Sequence, residues 1–410
     1  MIKSVKPGQE VTLYGYVHEF RDLGKIKFIQ LRDRTGTIQV TVKNQPDLEL
    51  NREDVVKVKG KVQESNIAKA GIEVISEKVE VLSKVKKKLP VDPTGVVPSE
   101  LDTRLKYRVL DLRKPEIRRI FEAKSHLAFA FRDYLYHRGF IEIHTSSIVA
   151  AATEGGAELF EVQYFEKKAY LAQSPQLYKQ IAVVGGLEKV YLTTPIFRAE
   201  KHNTIYHLNE AISLDVEMAF IEDHHDVIKV LKDVFKHMIN YTAEKMGMPE
   251  NKINEIKTYT YTEAVDMLNK HGTKIEWGED FSKEHEKALY EILKEDAYVI
   301  TDFPADIRAF YTMRDPEDPR IGRSFDLFYR GLEVSSGAQR IHIPEVLEEE
   351  LRKRGLDPLD FEFYIEAFRY GAPPHGGFGM GLERVTMKFM NLNNIREAML
   401  FPRDRTRVTP

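Results

Sequence analysis

Five segments near the N-terminus alternate apolar and polar residues, and no other feature narrows the fold of this chain so much. They are Val11 to His18, Lys25 to Leu31, Thr37 to Val42, Val55 to Gln63 and Ile72 to Leu82, with Gly, Asp and Asn between them. Period-two alternation gives each strand one apolar face. Five such faces in so short a span suggest strands closing against one another as a small barrel. The alternation stops at Lys84-Val85-Lys86-Lys87-Lys88-Leu89-Pro90, and the Pro/Gly-bearing stretch through Pro98 supports neither strand nor helix. At 410 residues the chain is too long for one core. The expected division is a barrel domain over 1–84, a hinge over 85–105 and a larger domain over 106–410.

Charge sharpens that division. The net charge is −3, but residues 1–90 carry 18 Lys and Arg against 12 Asp and Glu, so this part is +6 and the remainder −9. A basic barrel beside an acidic body suits a polyanion gripped at one end. An OB-fold barrel would offer it a face that commonly takes single-stranded nucleic acid. The strand pattern is equally compatible with an SH3-like or other small barrel whose lysines are merely solvated. Absence of cysteine excludes disulfides and thiolate metal sites, and 13 scattered histidines form no zinc pattern. Any metal is then a hard, oxygen-bound ion. No apolar run reaches about 18 residues, and Met1-Ile2-Lys3-Ser4-Val5-Lys6 lacks a signal-peptide core. A cytoplasmic protein with no membrane contact is expected.

In the larger domain Pro115 opens an amphipathic helix, with Ile117, Ile120, Phe121, Leu127, Phe131 and Leu135 near helical spacing and Gly139 as its C-terminal cap. Strand-like Phe140 to Ile143 follows. Further strands are expected at Ala169 to Leu171, Lys189 to Thr193, Ile212 to Phe220, Ala297 to Thr301 and Phe325 to Val334, with helices at 223–246, 261–271, 282–295, 345–354 and 358–369. Several strands follow one another with no helix between them, which favours an α+β domain on a mostly antiparallel sheet. Glu222-Asp223 before His224-His225 reads as an exposed helix start rather than a metal site. Near the C-terminus, Ala372-Pro373-Pro374-His375-Gly376-Gly377-Phe378-Gly379-Met380-Gly381-Leu382-Glu383-Arg384 reads as a glycine-dense turn that delivers Arg384 to a helix start. Glycines let backbone approach a nucleotide closely, and a helix N-terminus favours phosphate.

That segment resembles motif 3 of the class II aminoacyl-tRNA synthetases. Phe197-Arg198-Ala199-Glu200 followed by His207-Leu208-Asn209-Glu210 resembles their motif 2, in the right order upstream. Gly139-Phe140-Ile141-Glu142-Ile143-His144-Thr145 resembles motif 1, the helix-strand unit through which these enzymes pair as homodimers, although Ser146 stands where the family has proline. Leu171-Ala172-Gln173-Ser174-Pro175-Gln176-Leu177-Tyr178-Lys179-Gln180 and Ser335-Ser336-Gly337-Ala338-Gln339-Arg340 narrow the resemblance to the aspartyl-tRNA synthetases of the short archaeal/eukaryotic type. It covers nearly the whole chain, and it implies an N-terminal OB-fold that reads the anticodon.

The resemblance implies roles residue by residue. For L-aspartate it brings together Ser174, Gln176, Lys179, Arg198, Asp215, Ser336 and Arg340, with Glu154 on a mobile loop meeting the α-ammonium. Lys179 and Arg340 hold the β-carboxylate, and Asp215 orients the lysine. For ATP it implies Arg198 on the α-phosphate, Ala199, Glu200, Tyr206, His207 and Leu208 around adenine and phosphate, and Gly381, Leu382 and Glu383 leading to Arg384 on the γ-phosphate. Tyr206 stands where many relatives carry arginine. Asp326, Glu333 and Ser336 would hold Mg²⁺, a hard ion suited to oxygen ligands, and Arg198, Glu333 and Arg384 form the catalytic set.

In the barrel the implied anticodon residues are His18, Phe28, Gln39, Lys69 and Glu73, with Arg21 as a further candidate. Phe28 alternates with Ile26 in a way that also suits the core. The expected partners are tRNA(Asp), ATP, L-aspartate and a second copy of the chain. For tRNA(Asn) the cues conflict, since His18 points to relaxed recognition and Lys69 to strict. The reading adopted is relaxed, because His18 is smaller than the tryptophan that strict relatives tend to place there. The rival functions are an asparaginyl-tRNA synthetase or related amide-forming enzyme, and a non-catalytic tRNA-binding paralogue.

Overall fold

The computed structural model describes residues 1–150, 159–201 and 204–410. The chain forms two compact units, Met1–Ile117 and Arg118–Pro410. In the first, β1 (Glu10–Asp22), β2 (Lys27–Asp33), β3 (Gly36–Val42), β4 (Val55–Glu64) and β5 (Ile72–Ser83) close a barrel in the order β1-β2-β3-β5-β4. Only the β3/β5 pair is parallel. The alternation does what period two demands: Val17, Ile29, Leu31, Val40, Val56, Val58 and Val74 point inward and are fully buried. Residues 85–117 belong to this unit, with short helices α1 (Leu101–Lys106) and α2 (Arg108–Asp111). The Val85 N–H donates to Asp54 Oδ1 at 2.7 Å. The buried Glu53 carboxylate joins Arg32 and Arg113, at 2.8 and 2.9 Å.

Helix α3 (Pro115–His137), all but its first three residues in the second unit, ends ahead of Gly139 at φ 77°. After it come β6 (Ile141–Glu142), β7 (Ile148–Val149), β8 (Glu161–Tyr164), β9 (Lys167–Leu171), α4 (Gln176–Ala182), β10 (Lys189–Phe197), β11 (Glu210–Ala219) and α5 (His224–Met246). Next are β12 (Lys257–Thr260), α6 (Tyr261–Lys270), α7 (Lys283–Leu293), β13 (Ala297–Thr301), β14 (Ser324–Tyr329), β15 (Glu333–Gln339), α8 (Pro344–Lys353), α9 (Glu362–Arg369), β16 (His375–Gly381) and α10 (Leu382–Phe389). Eight strands form one sheet in the order β12-β13-β14-β15-β16-β11-β10-β6, antiparallel except at its two edge pairs. Helices α3, α5 and α10 bury one face, through Phe131, Leu135, Leu231, Phe235 and Val385 against Leu214, Val216, Phe378 and Met380. No helix among the described residues is long and apolar enough to cross a membrane.

Four expectations are corrected. Phe325 to Val334 is not one strand: Arg330 and Gly331, at φ 48° and 71°, turn the chain into the β14/β15 hairpin. The segment 358–369 divides into a 3₁₀ turn, Pro358–Phe361, and α9. Asp223 caps α5 by accepting from the His225 N–H, yet His224 is buried, with Nε2 at 3.0 Å from Thr301 Oγ1 and 3.1 Å from Asp302 Oδ1. The glycine-dense segment is a central strand and not a turn, and none of Gly376, Gly377, Gly379 and Gly381 has positive φ. Phe378 and Met380 fill the core, which leaves Gly377, Gly379 and Gly381 on the open face.

Candidate active site

That open face floors a cavity of about 400 Å³. On β11, Leu214 and Val216 face the helices, so Ser213, Asp215 and Glu217 stand on the cavity side. Asp215 lies opposite Gly379 and Glu217 opposite Gly377. Glycine gives these carboxylates room, because a Cβ on residue 377 would lie 2.2 Å from Glu217 Oε2 and 2.1 Å from the Val216 carbonyl oxygen.

Lys179 on α4 is wholly buried and does not line the cavity. Its ammonium donates to Asp215 Oδ1 at 2.8 Å and to the Phe378 carbonyl at 3.2 Å, and lies 3.4 Å from Glu217 Oε2. Arg340 donates from Nε and Nη2 to Glu217, at 2.9 and 3.2 Å, and from Nη2 to Gln176 Oε1 at 3.4 Å. Its Nη1 is the guanidinium nitrogen with no partner among the described residues, and Arg340 lines the cavity. Burial pushes the Glu217 carboxyl up, but Arg340 and Lys179 outweigh that and hold it below its ordinary value. Two cations and two anions thus form a neutral buried cluster. Ser174, Gln176 and Ser336 also line the cavity; Glu154 lies outside the described residues.

At the other end stand Arg198, Glu200, Tyr206, His207, Leu208, Glu333, Gly381 and Arg384. Arg384 Nη1 donates to the Glu333 carbonyl at 3.1 Å and lies 3.5 Å from its carboxylate. Lys283 Nζ sits 5.9 Å from the Tyr206 ring centre, which brings a cation beside that ring. Glu383 is nearly buried, joining Lys124 at 2.5 Å and the Ile212 N–H at 2.9 Å, so it locks α3, β11 and α10 together. Leu382 is a core residue, and Ala199 does not line the cavity. Asp326 stands behind Ser336, its cross-strand partner, with both oxygens taken by Arg308 at 3.0 and 2.5 Å. Burial pushes its carboxyl up against the pull of Arg308, and the Glu333 charge adds to the rise.

Glu217 and Arg308 escaped the sequence reading. Glu217 was signalled by its place two residues after Asp215 on a strand; Arg308 lies in an irregular segment and carried no local signal.

On the barrel, Phe28 is only half-buried and stands outside the core cluster, on the strand face that alternates with Ile29 and Leu31. Its neighbours there are polar: Gln39 donates to Glu73 Oε2 at 3.1 Å, and the Thr41 hydroxyl donates to the same oxygen. His18 is less free than expected, since its Nδ1 lies 3.0 Å from Arg32 Nη1 and accepts from it; burial first, then the Arg32 charge, lowers the ring's proton affinity. Lys69 is exposed.

Residues 100–405 match the family described as tRNA synthetases class II (D, K and N), and residues 11–82 match the OB-fold nucleic acid binding domain. The aspartate–tRNA(Asp/Asn) ligase of Methanopyrus kandleri is 49% identical over 421 residues, covering 99% of this chain and 97% of that protein. The aspartate–tRNA(Asp) ligase of Pyrococcus furiosus is 48% identical over 423 residues, covering 98% and 97%. Among solved structures, the asparaginyl-tRNA synthetase of Pyrococcus horikoshii complexed with asparaginyl-adenylate matches with a TM-score of 0.92 at 34% identity, covering 98% of this chain and 97% of that one. The chain therefore belongs to the class II tRNA synthetases (D, K and N) and, within them, to the aspartate–tRNA ligases.

Proposed function

We propose that this chain joins L-aspartate to ATP as aspartyl-adenylate and passes the aspartyl group to the 3′-terminal adenosine of tRNA(Asp) and tRNA(Asn). The observation that carries the choice of amino acid is Arg340 Nη1, a nitrogen without a partner among the described residues, on a side chain at the cavity wall. Because Lys179 and Arg340 are already neutralised, selectivity does not come from surplus positive charge. It comes from donor geometry. A guanidinium nitrogen only donates, so Nη1 receives one oxygen of the β-carboxylate, and asparagine is rejected where its NH₂, in place of the second oxygen, must also face a donor. Sites of this kind reject the wrong analogue by roughly 10⁴-fold or more.

The aspartate α-carboxylate attacks the α-phosphorus, an oxygen–phosphorus bond forms, and pyrophosphate leaves with the electron pair of the broken bond. Arg198 stabilises the charge that gathers on the α-phosphate oxygens, and Arg384 holds the γ-phosphate. Glu333 and Ser336 offer cavity-facing oxygens. This all-oxygen pair suits Mg²⁺, while Asp326 stands behind Ser336 with its oxygens engaged by Arg308 and Ser336. When bound, that ion offsets phosphate charge.

Pyrophosphate exchange tests the reading. Aspartate should drive it and asparagine should not; exchange driven by asparagine would reassign the substrate, and no exchange with either would favour a tRNA-binding paralogue. Charging of the two tRNAs side by side tests the relaxed recognition. If tRNA(Asn) is charged at less than a hundredth of the tRNA(Asp) efficiency, a gap of about 2.7 kcal/mol, recognition is strict and Lys69 is the residue to examine.

Phe28→Ala should lower tRNA charging and leave adenylate formation untouched, because the outward ring is available for a base to stack on, a contact worth about 1–3 kcal/mol. Equal losses in both half-reactions would return Phe28 to a structural role.

The homodimer of this reading uses the 115–145 unit, where Phe129, Tyr136 and Ile141 are exposed at 51%, 70% and 47% on a helix and strand whose other faces are in the core. A second copy is the expected cover for them. Sedimentation should show a dimer that Phe129→Asp with Tyr136→Asp dissociates. A wild-type monomer active at assay concentration would overturn the pairing.

A further inference from the structure

Behind the aspartate end of the cavity runs a chain of hydrogen bonds that no role so far accounts for. His375, wholly buried at the start of β16, places Nδ1 at 2.9 Å from the Pro373 carbonyl oxygen and Nε2 at 2.9 Å from Gln180 Nε2. Gln180, also wholly buried, accepts on Oε1 from Gln176 Nε2 at 2.8 Å. Gln176 in turn receives Arg340 Nη2 on Oε1 at 3.4 Å and lines the cavity.

The two ends of this chain fix it independently. A carbonyl oxygen only accepts, so His375 must carry its proton on Nδ1, and the neutral ring then accepts on Nε2 from the Gln180 amide. Arginine only donates, so Gln176 must turn its carbonyl oxygen to Arg340 and its NH₂ to Gln180. Starting from either end, the same orientation of both amides results. An inverted Gln176 would set NH₂ against the Arg340 guanidinium. Other charged or titratable groups bearing on His375 are Glu217, Arg340 and His342; burial first of all pushes the imidazole down to about 4. It therefore stays neutral at physiological pH.

We infer that His375 and Gln180 are positioning residues for amino-acid binding: the Nδ1–H tautomer of His375, acting through Gln180, holds the Gln176 carbonyl oxygen at the cavity beside Arg340. There it suits the ammonium group of the amino acid, an inference that rests on the aspartate reading above. Without the histidine acceptor the Gln180 amide can rotate, Gln176 can follow, and a donor then faces the substrate cation.

The experiment compares His375→Leu, which removes the acceptor, with His375→Gln, whose side-chain oxygen can take the place of Nε2. In pyrophosphate exchange His375→Leu should raise KM for aspartate about tenfold while KM for ATP stays unchanged, and His375→Gln should restore it to within about threefold of wild type. Unchanged aspartate KM in the leucine variant, or equal rises for aspartate and ATP, overturns the inference. Wild-type exchange with aspartate separates this failure from failure of the aspartate reading. Should the leucine variant not fold, ¹⁵N-histidine NMR of the wild-type protein decides, with His375 as the resonance lost in His375→Gln. Protonated Nδ1 with bare Nε2 supports the chain of bonds, and an Nε2–H tautomer or an imidazolium at pH 7 refutes it.

Discussion

Lys179→Met is expected to abolish aspartate-dependent pyrophosphate exchange and also to destabilise the protein. The lysine is wholly buried, and its ammonium is spent on Asp215, Glu217 and the Phe378 carbonyl. Removing it leaves two buried carboxylates against one guanidinium, so the neutral cluster becomes net negative and repels the substrate carboxylate. Breaking one partner out of a buried pair costs about 3–5 kcal/mol, a large part of a domain's stability. The sign with pH follows from Glu217, whose carboxyl is held below its ordinary value. Its contribution is present above the unfolded carboxylate value and is lost as pH falls through the folded one. With one of its cations gone, the folded value rises, so acid unfolding of the variant should begin at higher pH than in the wild type. Adding Asp215→Asn to Lys179→Met restores neutrality and should recover part of the stability without recovering exchange. Thermal melts and exchange assays on the single and double variants check this. Wild-type exchange in Lys179→Met would mean that the charge balance of the buried cluster does not govern aspartate binding.

Legibility in this sequence followed periodicity. The barrel strands were readable because Val17, Ile29, Leu31 and Val40 alternate with polar positions over whole strands, and only their ends moved. The long helices α3 and α5 were readable for the same reason at helical spacing. The β14/β15 hairpin was missed because its turn, Arg330-Gly331, interrupts an apolar run by only a few residues. Cavity-lining residues such as Gln176, Asp215 and Arg340 were found through motif resemblance, which carries identity but not geometry. The resemblance therefore gave Lys179 a direct hold on substrate, whereas the structure shows its donors saturated by protein. The chain from His375 to Arg340 joins α4, β16 and the end of β15, and no local pattern announces a contact of that range.

The glycine segment carries the second large effect. Gly377-Phe378-Gly379-Met380-Gly381 alternates glycine with apolar residues at period two, which is a strand signal with hydrogen as its outward side chain. Each glycine on the open face has a different clearance, so alanine scanning should give a graded series. At Gly377 a Cβ would stand 2.1 Å from the Val216 carbonyl oxygen and 2.2 Å from Glu217 Oε2, and strand backbone on a central sheet position cannot withdraw. Gly377→Ala is expected to cost about 3 kcal/mol or more, to displace Glu217 from Arg340 and to abolish exchange. At Gly379 the nearest atom is Asp215 Oδ1 at 3.2 Å, a side chain that can give by a few tenths of an ångström, so Gly379→Ala should fold and raise KM for aspartate. At Gly381 the nearest atoms belong to the Arg384 side chain at 3.6 Å, ordinary contact, so Gly381→Ala should lie near wild type in stability. Melting temperature and aspartate KM measured across the three variants test the order. A Gly377→Ala protein as stable and as active as Gly381→Ala would mean that glycine serves ligand approach here and not the seating of Glu217.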